Sequence, residues 1–215
     1  MNALLAKLLL ETFFLTLVFF HITKKNFGVA IAYGVQSLII VVILFYSFFE
    51  MGNPSLLFIA LVALAVKVIL APLFFIRLIK RHALKFSVST YLNTPLALII
   101  IGMLTAAAHS RKFLPLTGIS PSNQALLSLA LSIMFVSLFL IINRKGALSQ
   151  IIGILSFENS IVVFAALAGL EQSPSLQIAI LFNIFVWLII ATVFVSKIYR
   201  HFGSLDVTSM KHLKD

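Results

Sequence analysis

Residues 55–77 read SLLFIALVALAVKVILAPLFFIR, an apolar run in which Lys67 is the only charge before Arg77. A helix needs roughly 20 mainly apolar residues to cross a bilayer, and this run is long enough. Asn53-Pro54 stands in front of it, a capping residue followed by proline at the first helical position, where the missing N–H costs nothing. Ser120-Pro121 and Ser173-Pro174 repeat the device. Outward from this run, six more segments have the same character: about 3–21, 27–49, 91–108, 122–142, 147–169 and 175–198. The first lacks a small-residue cleavage site and carries Glu11 in its apolar stretch, so it reads as a helix and not a signal peptide. The expected fold is all-α, a polytopic membrane protein of about seven transmembrane helices.

Composition agrees with the spans. Of the 215 residues, 61% are hydrophobic and 10% are charged, against roughly 25% charged in a soluble domain. There are no cysteines and five scattered histidines, which removes thiolate chemistry and leaves no pair at metal-ligand spacing. No glycine-rich phosphate loop or Ser/His/Asp arrangement is visible. The net charge of +10 is accounted for by basic loops at a membrane surface and not by nucleic acid.

Those loops alternate. Lys24 and Lys25, Arg77 to Lys85, Arg144 and Lys145, and the basic residues after 196 place 12 of the 16 Lys and Arg on one side. That side is expected to be cytoplasmic. Glu50 and Glu171 mark the other, with Arg111 and Lys112 as exceptions. The N-terminus is then outside and the C-terminus cytoplasmic.

A shift of 120 residues lays one half of the chain on the other without gaps. Pro54-Ser55-Leu56 falls on Pro174-Ser175-Leu176, and Lys24-Lys25 falls on Arg144-Lys145. Such repeats are common in transport machinery, with function at mid-membrane; the alternative is that three-helix units simply resemble one another. The repeat gives a 3+1+3 arrangement: an N-terminal unit over 1–82, a linker helix with its loops over 83–120, a C-terminal unit over 121–200 and a cytoplasmic tail over 201–215.

Two charges lie at mid-membrane depth. Lys67 is roughly 18 Å into its helix at 1.5 Å per residue, where insertion of lysine costs on the order of 3 kcal/mol. Pro72 follows as a helix break, because it cannot donate to the carbonyl of Val68. Glu158 reaches similar depth, with Asn159 and Ser160 beside it. Such a pair serves either a proton or ion relay or a static ion pair. Glu11 is a weaker candidate for the same path, or a contact to a partner. Gln36, Asn93 and Asn183 either orient water or hold helices together.

Several of these segments resemble the hydrogenase-4 component E family, membrane-arm subunits of group 4 nickel-iron hydrogenase complexes such as formate hydrogenlyase. They are Tyr33-Gly34-Val35-Gln36-Ser37-Leu38, Lys67-Val68-Ile69-Leu70-Ala71-Pro72-Leu73, Phe157-Glu158-Asn159 and Gly203-Ser204-Leu205-Asp206-Val207. The C-terminal half is similar to the three-helix subunit K of respiratory complex I. In those relatives one glutamate lies in the middle helix and another in the third. Aligned here, the first falls on Leu155, one turn from Glu158, and the second on Trp187, which cannot titrate. Under the repeat, Trp187 lies opposite Lys67, so the charged role of the third helix is expected in the N-terminal copy.

The resemblance implies a non-catalytic subunit of a complex-I-related proton- or sodium-translocating arm in the inner (cytoplasmic) membrane. Lys67, Glu158, Gln36, Asn159, Glu11 and Asn183 would line a lateral proton path. No cofactor is expected in this chain; nickel-iron and iron-sulfur centres would sit in partner subunits. Antiporter-like membrane subunits and a quinone-site-like membrane subunit are the implied partners. A stand-alone transporter of 3+1+3 build and a purely structural membrane spacer are the other classes.

Overall fold

The structure, a computed structural model, describes residues 3–81, 90–120 and 123–168, together with 178, 182, 185, 186, 189 and 193. Helices α1 (Ala3–Ile22) and α2 (Asn26–Met51) match the first two expected spans to within two residues. The span quoted at the outset is one continuous stretch long and apolar enough to cross a membrane, Pro54–Lys80, but not one regular helix. It runs as α3 (Pro54–Ala63), a π-helical stretch (Leu64–Leu70) and α4 (Ala71–Arg81). Then follow α5 (Thr94–Ala108), a 3-10 turn at Arg111–Phe113, the short α6 (Leu114–Thr117), α7 (Gln124–Asn143) and α8 (Ala147–Leu167).

Five described helices are long and apolar enough to cross a membrane, and α5 with the Arg111–Thr117 segment makes a sixth candidate. The expected span over 175–198 and the Ser173-Pro174 cap lie outside the described residues, apart from six helical positions from Ile178 to Val193.

The turn between α2 and α3 shows why a two-residue link suffices. Gly52 takes a left-handed conformation (φ 64°) and its N–H closes α2 on Phe48 O at 2.8 Å, which a residue with a Cβ resists. Asn53 then accepts from Ser55 N at 3.0 Å to open α3, with Pro54 at the first helical position.

Two expectations are corrected at the linker helix. The helix starts at Thr94, not 91, because Asn93 caps it by accepting from Leu96 N at 3.1 Å, with Pro95 behind it. Asn93 is therefore a cap and not a bridge between helices. The 15 residues of α5 span only about 22 Å at 1.5 Å rise, less than a hydrocarbon core of ~30 Å. The chain continues after a 53° bend, and the cationic exceptions Arg111 and Lys112 lie exposed at that bend, where long basic side chains reach the interface.

The core lies where α1, α2, α7 and α8 meet: α1 packs on α2 and α7, and α8 on α2 and α7. Helices superposed by the 120-residue shift are thus neighbours. Gly153 of α8 lets α7 approach closely, since a Cβ there would stand 3.1 Å from Ile141 Cγ1. The crossing from α3 to α4 packs on α2, and α5 on α7. Outside this core, large apolar side chains such as Leu15, Phe49, Phe58 and Met103 are exposed, a surface suited to lipid and not to water.

Candidate functional site

The site begins with the π-helical stretch. Each of its turns holds an extra residue, and such stretches gather at functional positions. Ala71 N–H bonds Val66 O, five residues back. Pro72 has no N–H with which to carry that pattern further, so regular helix resumes from there. Pro72 packs on α2 at Gly34, where a Cβ would stand 3.3 Å from the proline ring and 4.0 Å from the Val68 carbonyl oxygen.

Lys67, at the centre of this stretch, is 2% exposed. Its Nζ donates to Asn159 Oδ1 at 3.0 Å and to Glu158 Oε1 at 3.5 Å. The Glu158 side chain is 17% exposed. Two charged groups this far from water hold their charges only through each other and through neighbouring dipoles. Asn159 supplies one such dipole and passes the contact on, its Nδ2 donating to Ser37 Oγ at 3.4 Å.

Around the pair lies a buried polar layer contributed by α2, α7 and α8. Ser156 Oγ donates to Gln36 Oε1 at 2.8 Å. Ser160 and Ser137 hydroxyls meet at 3.1 Å. Among the described residues, Tyr33 Oη and Gln36 Nε2 are buried with no hydrogen-bonding partner at ordinary geometry, and groups in that position are ones that internal water satisfies. Serines and amides of this kind orient water; the carboxylate and the ammonium are the charged members of the layer.

Of the residues singled out from the sequence, Lys67, Glu158, Gln36 and Asn159 share this layer, and Pro72 bounds it. Glu11 does not join it: its carboxylate is 3.8 Å from Lys7 Nζ on an exposed face of α1. Asn183 lies outside the described residues. Sequence reasoning gave no role to Ser137, Ser156 and Tyr33; single serines in apolar helices carry little signal until helix rotation is known.

Arg144 was also missed, having been read as a loop charge facing the cytoplasm. It is 1% exposed, its Nη1 donating to Thr23 O at 3.4 Å. Burial pushes its guanidinium down to about 10, so it remains charged at neutral pH. The strand-like bridge of Thr90 to Arg144 and the Leu92 N–H on Asn143 Oδ1, at 3.0 Å, close over it.

No curated protein and no solved structure matches the chain. Residues 125–215 match the family model of NADH-ubiquinone/plastoquinone oxidoreductase chain 4L, a stretch that holds Glu158 and Asn159 but not Lys67 or Gln36. Over its C-terminal part, then, this multi-pass helical chain is similar to the chain 4L (subunit K) family of complex I.

Proposed function

We propose that the chain is a non-catalytic membrane-arm subunit of a complex-I-related, redox-driven proton-translocating complex of the hydrogenase-4 or formate hydrogenlyase type. The observation that carries this reading is the contact of the buried Lys67 with the half-buried Glu158, made between an N-terminal helix and the part of the chain similar to chain 4L. Glu158 and Lys67 exchange protons with buried charges of neighbouring subunits as redox turnover shifts the local field. Gln36 and Asn159 orient water along that lateral path. Antiporter-like subunits and a quinone-site-like subunit flank the chain in the inner membrane, and nickel-iron and iron-sulfur centres reside in other partners. The ammonium and carboxylate suit protons; sodium coupling is the variant that ion-replacement assays separate.

Affinity purification of the native protein in mild detergent, with identification of the co-purifying chains, tests the assignment. Stoichiometric antiporter-like and hydrogenase-type or complex-I-type subunits support it, whereas a clean single species would sink it in favour of a stand-alone transporter. The 3.5 Å ion-pair geometry also suits a structural spacer. In that case neutralising Lys67 and Glu158 together leaves coupled proton movement intact.

A further inference from the structure

A cavity of about 240 Å³ opens among α1, α2, α7 and α8 at the end of the bundle away from Lys24, Lys25 and Arg144. Its rim carries Tyr46, Ser47, Glu50 and Asn123, and Glu50 and Ala166 reach the surface there. At roughly 30 Å³ per molecule it has room for on the order of eight waters. Its floor is apolar: Leu10, Ile43 and Val163 line it, and all three are buried.

Polar groups resume directly below that floor. Ser160 is one turn from Val163 along α8, about 4.5 Å by helical rise, and its hydroxyl meets Ser137 at 3.1 Å. Its neighbour Asn159 holds Lys67. On α7, Ser128 and Ser132 are buried between Asn123 at the rim and Ser137. The apolar layer is thus about one side chain thick, with hydrogen-bonding groups on both sides.

From this placement we infer that the cavity is the outer antechamber of a half-channel that links the Lys67–Glu158 pair to the non-cytoplasmic face, closed by a plug of Leu10, Ile43 and Val163. This rests on the proton-handling reading of the pair and adds its exit: protons released from the pair cross the plug when water bridges Ser160 to the cavity. The lateral path and the vertical one then meet at Asn159.

The chain has no cysteine, so an introduced thiol is unique within it. In right-side-out vesicles holding the intact complex, Ser47→Cys and Ala166→Cys are exposed to a membrane-impermeant cationic methanethiosulfonate. Modification is read as a mass shift of this chain. Leu38→Cys, on an exposed mid-helix face of α2, is the lipid-facing control. A thiol whose pKa rises one unit by burial loses about tenfold of its thiolate, so both cavity thiols should react at least about tenfold faster than the control. Rates equal to the control, or reaction only in inside-out vesicles, overturn the antechamber.

The plug is tested with Ile43→Thr and with the near-isosteric Val163→Thr. Each should raise passive proton leak in vesicles without redox turnover, and the leak should fall again when Glu158→Gln is added. No rise in either variant overturns the plug. If the cavity thiols react as expected while Glu158→Gln leaves coupled pumping untouched, the proton-path reading fails and the cavity stands. If pumping needs Glu158 while the thiols stay unreactive, the half-channel falls alone.

Discussion

Lys67 Nζ is closer to the Asn159 amide oxygen, at 3.0 Å, than to the Glu158 carboxylate, at 3.5 Å. The shorter contact is to the neutral partner. The ammonium therefore keeps an acceptor even when Glu158 takes up a proton, and Glu158 can change charge without leaving a cation stranded. A pair locked by one short bidentate contact would not have that freedom.

Glu158→Gln is expected to leave assembly intact, because Asn159 still holds Lys67, while coupled proton movement falls to background. Blue-native electrophoresis and a pH-dye vesicle assay read the two separately. Loss of the complex from the gel would instead mark the pair as structural.

Lys67→Met leaves a half-buried carboxylate without its cation, at a cost of at most about 3–5 kcal/mol. The double variant Lys67→Met/Glu158→Leu should recover most of that. Thermal unfolding in detergent checks the cycle; strict additivity of the two losses would show that the groups do not interact.

Gly153→Val drives a branched side chain into the Ile141 backbone, whose N and Cα lie 3.4 Å from the Cβ position. Overpacking there should cost about 1–3 kcal/mol. Gly102→Ala meets nothing within 4 Å and should be neutral or stabilising by up to about 1 kcal/mol. Equal melting temperatures for the two variants would contradict the close approach of α7 and α8.

Arg144 gives a pH dependence with a definite sign. Below pH 10 it is charged whether the chain is folded or not, and the folded state bears the full burial cost. As pH rises past about 10 the folded chain sheds that proton while the unfolded chain still keeps it, so the Arg144 contribution to stability rises with pH there. Arg144→Met, which removes the charge, is expected to be at least as stable as wild type at neutral pH. Its advantage should shrink as pH climbs from 10 to 12. Denaturation curves at several pH values settle the sign.

Orientation is open to direct measurement. Reporter fusions after Lys25 and after Lys145 should be active as cytoplasmic reporters, and a fusion after Gly52 as an external one. The reverse pattern would overturn the reading from basic loops.

The spans were legible because length and apolarity alone define them: α1, α2, α7 and α8 all begin and end within about two residues of expectation. Lys67 and Glu158 were legible because charge at mid-membrane depth is rare. What was hidden depends on how each helix is turned. The contact between Ser156 and Gln36 arises from the rotation of α8 against α2, which no periodicity records when every face is apolar. The π-helical stretch left only Pro72 as a trace. Arg144 misled because a basic loop is normally wet, and here residues 90–92 fold over it.

The hold of Lys67 on Asn159 also gives the polar row a direction. An ammonium only donates, so the amide must present its oxygen to Lys67 and its nitrogen to Ser37, leaving the Ser37 hydrogen to point onward. As long as the lysine is protonated, every dipole from it to Ser37 is aligned the same way. If the proposed proton exchange takes a proton from the amine, the amine can accept, the amide is free to turn over, and the whole row can reverse. Asn159 is in that sense a pawl whose setting would record the protonation of the lysine.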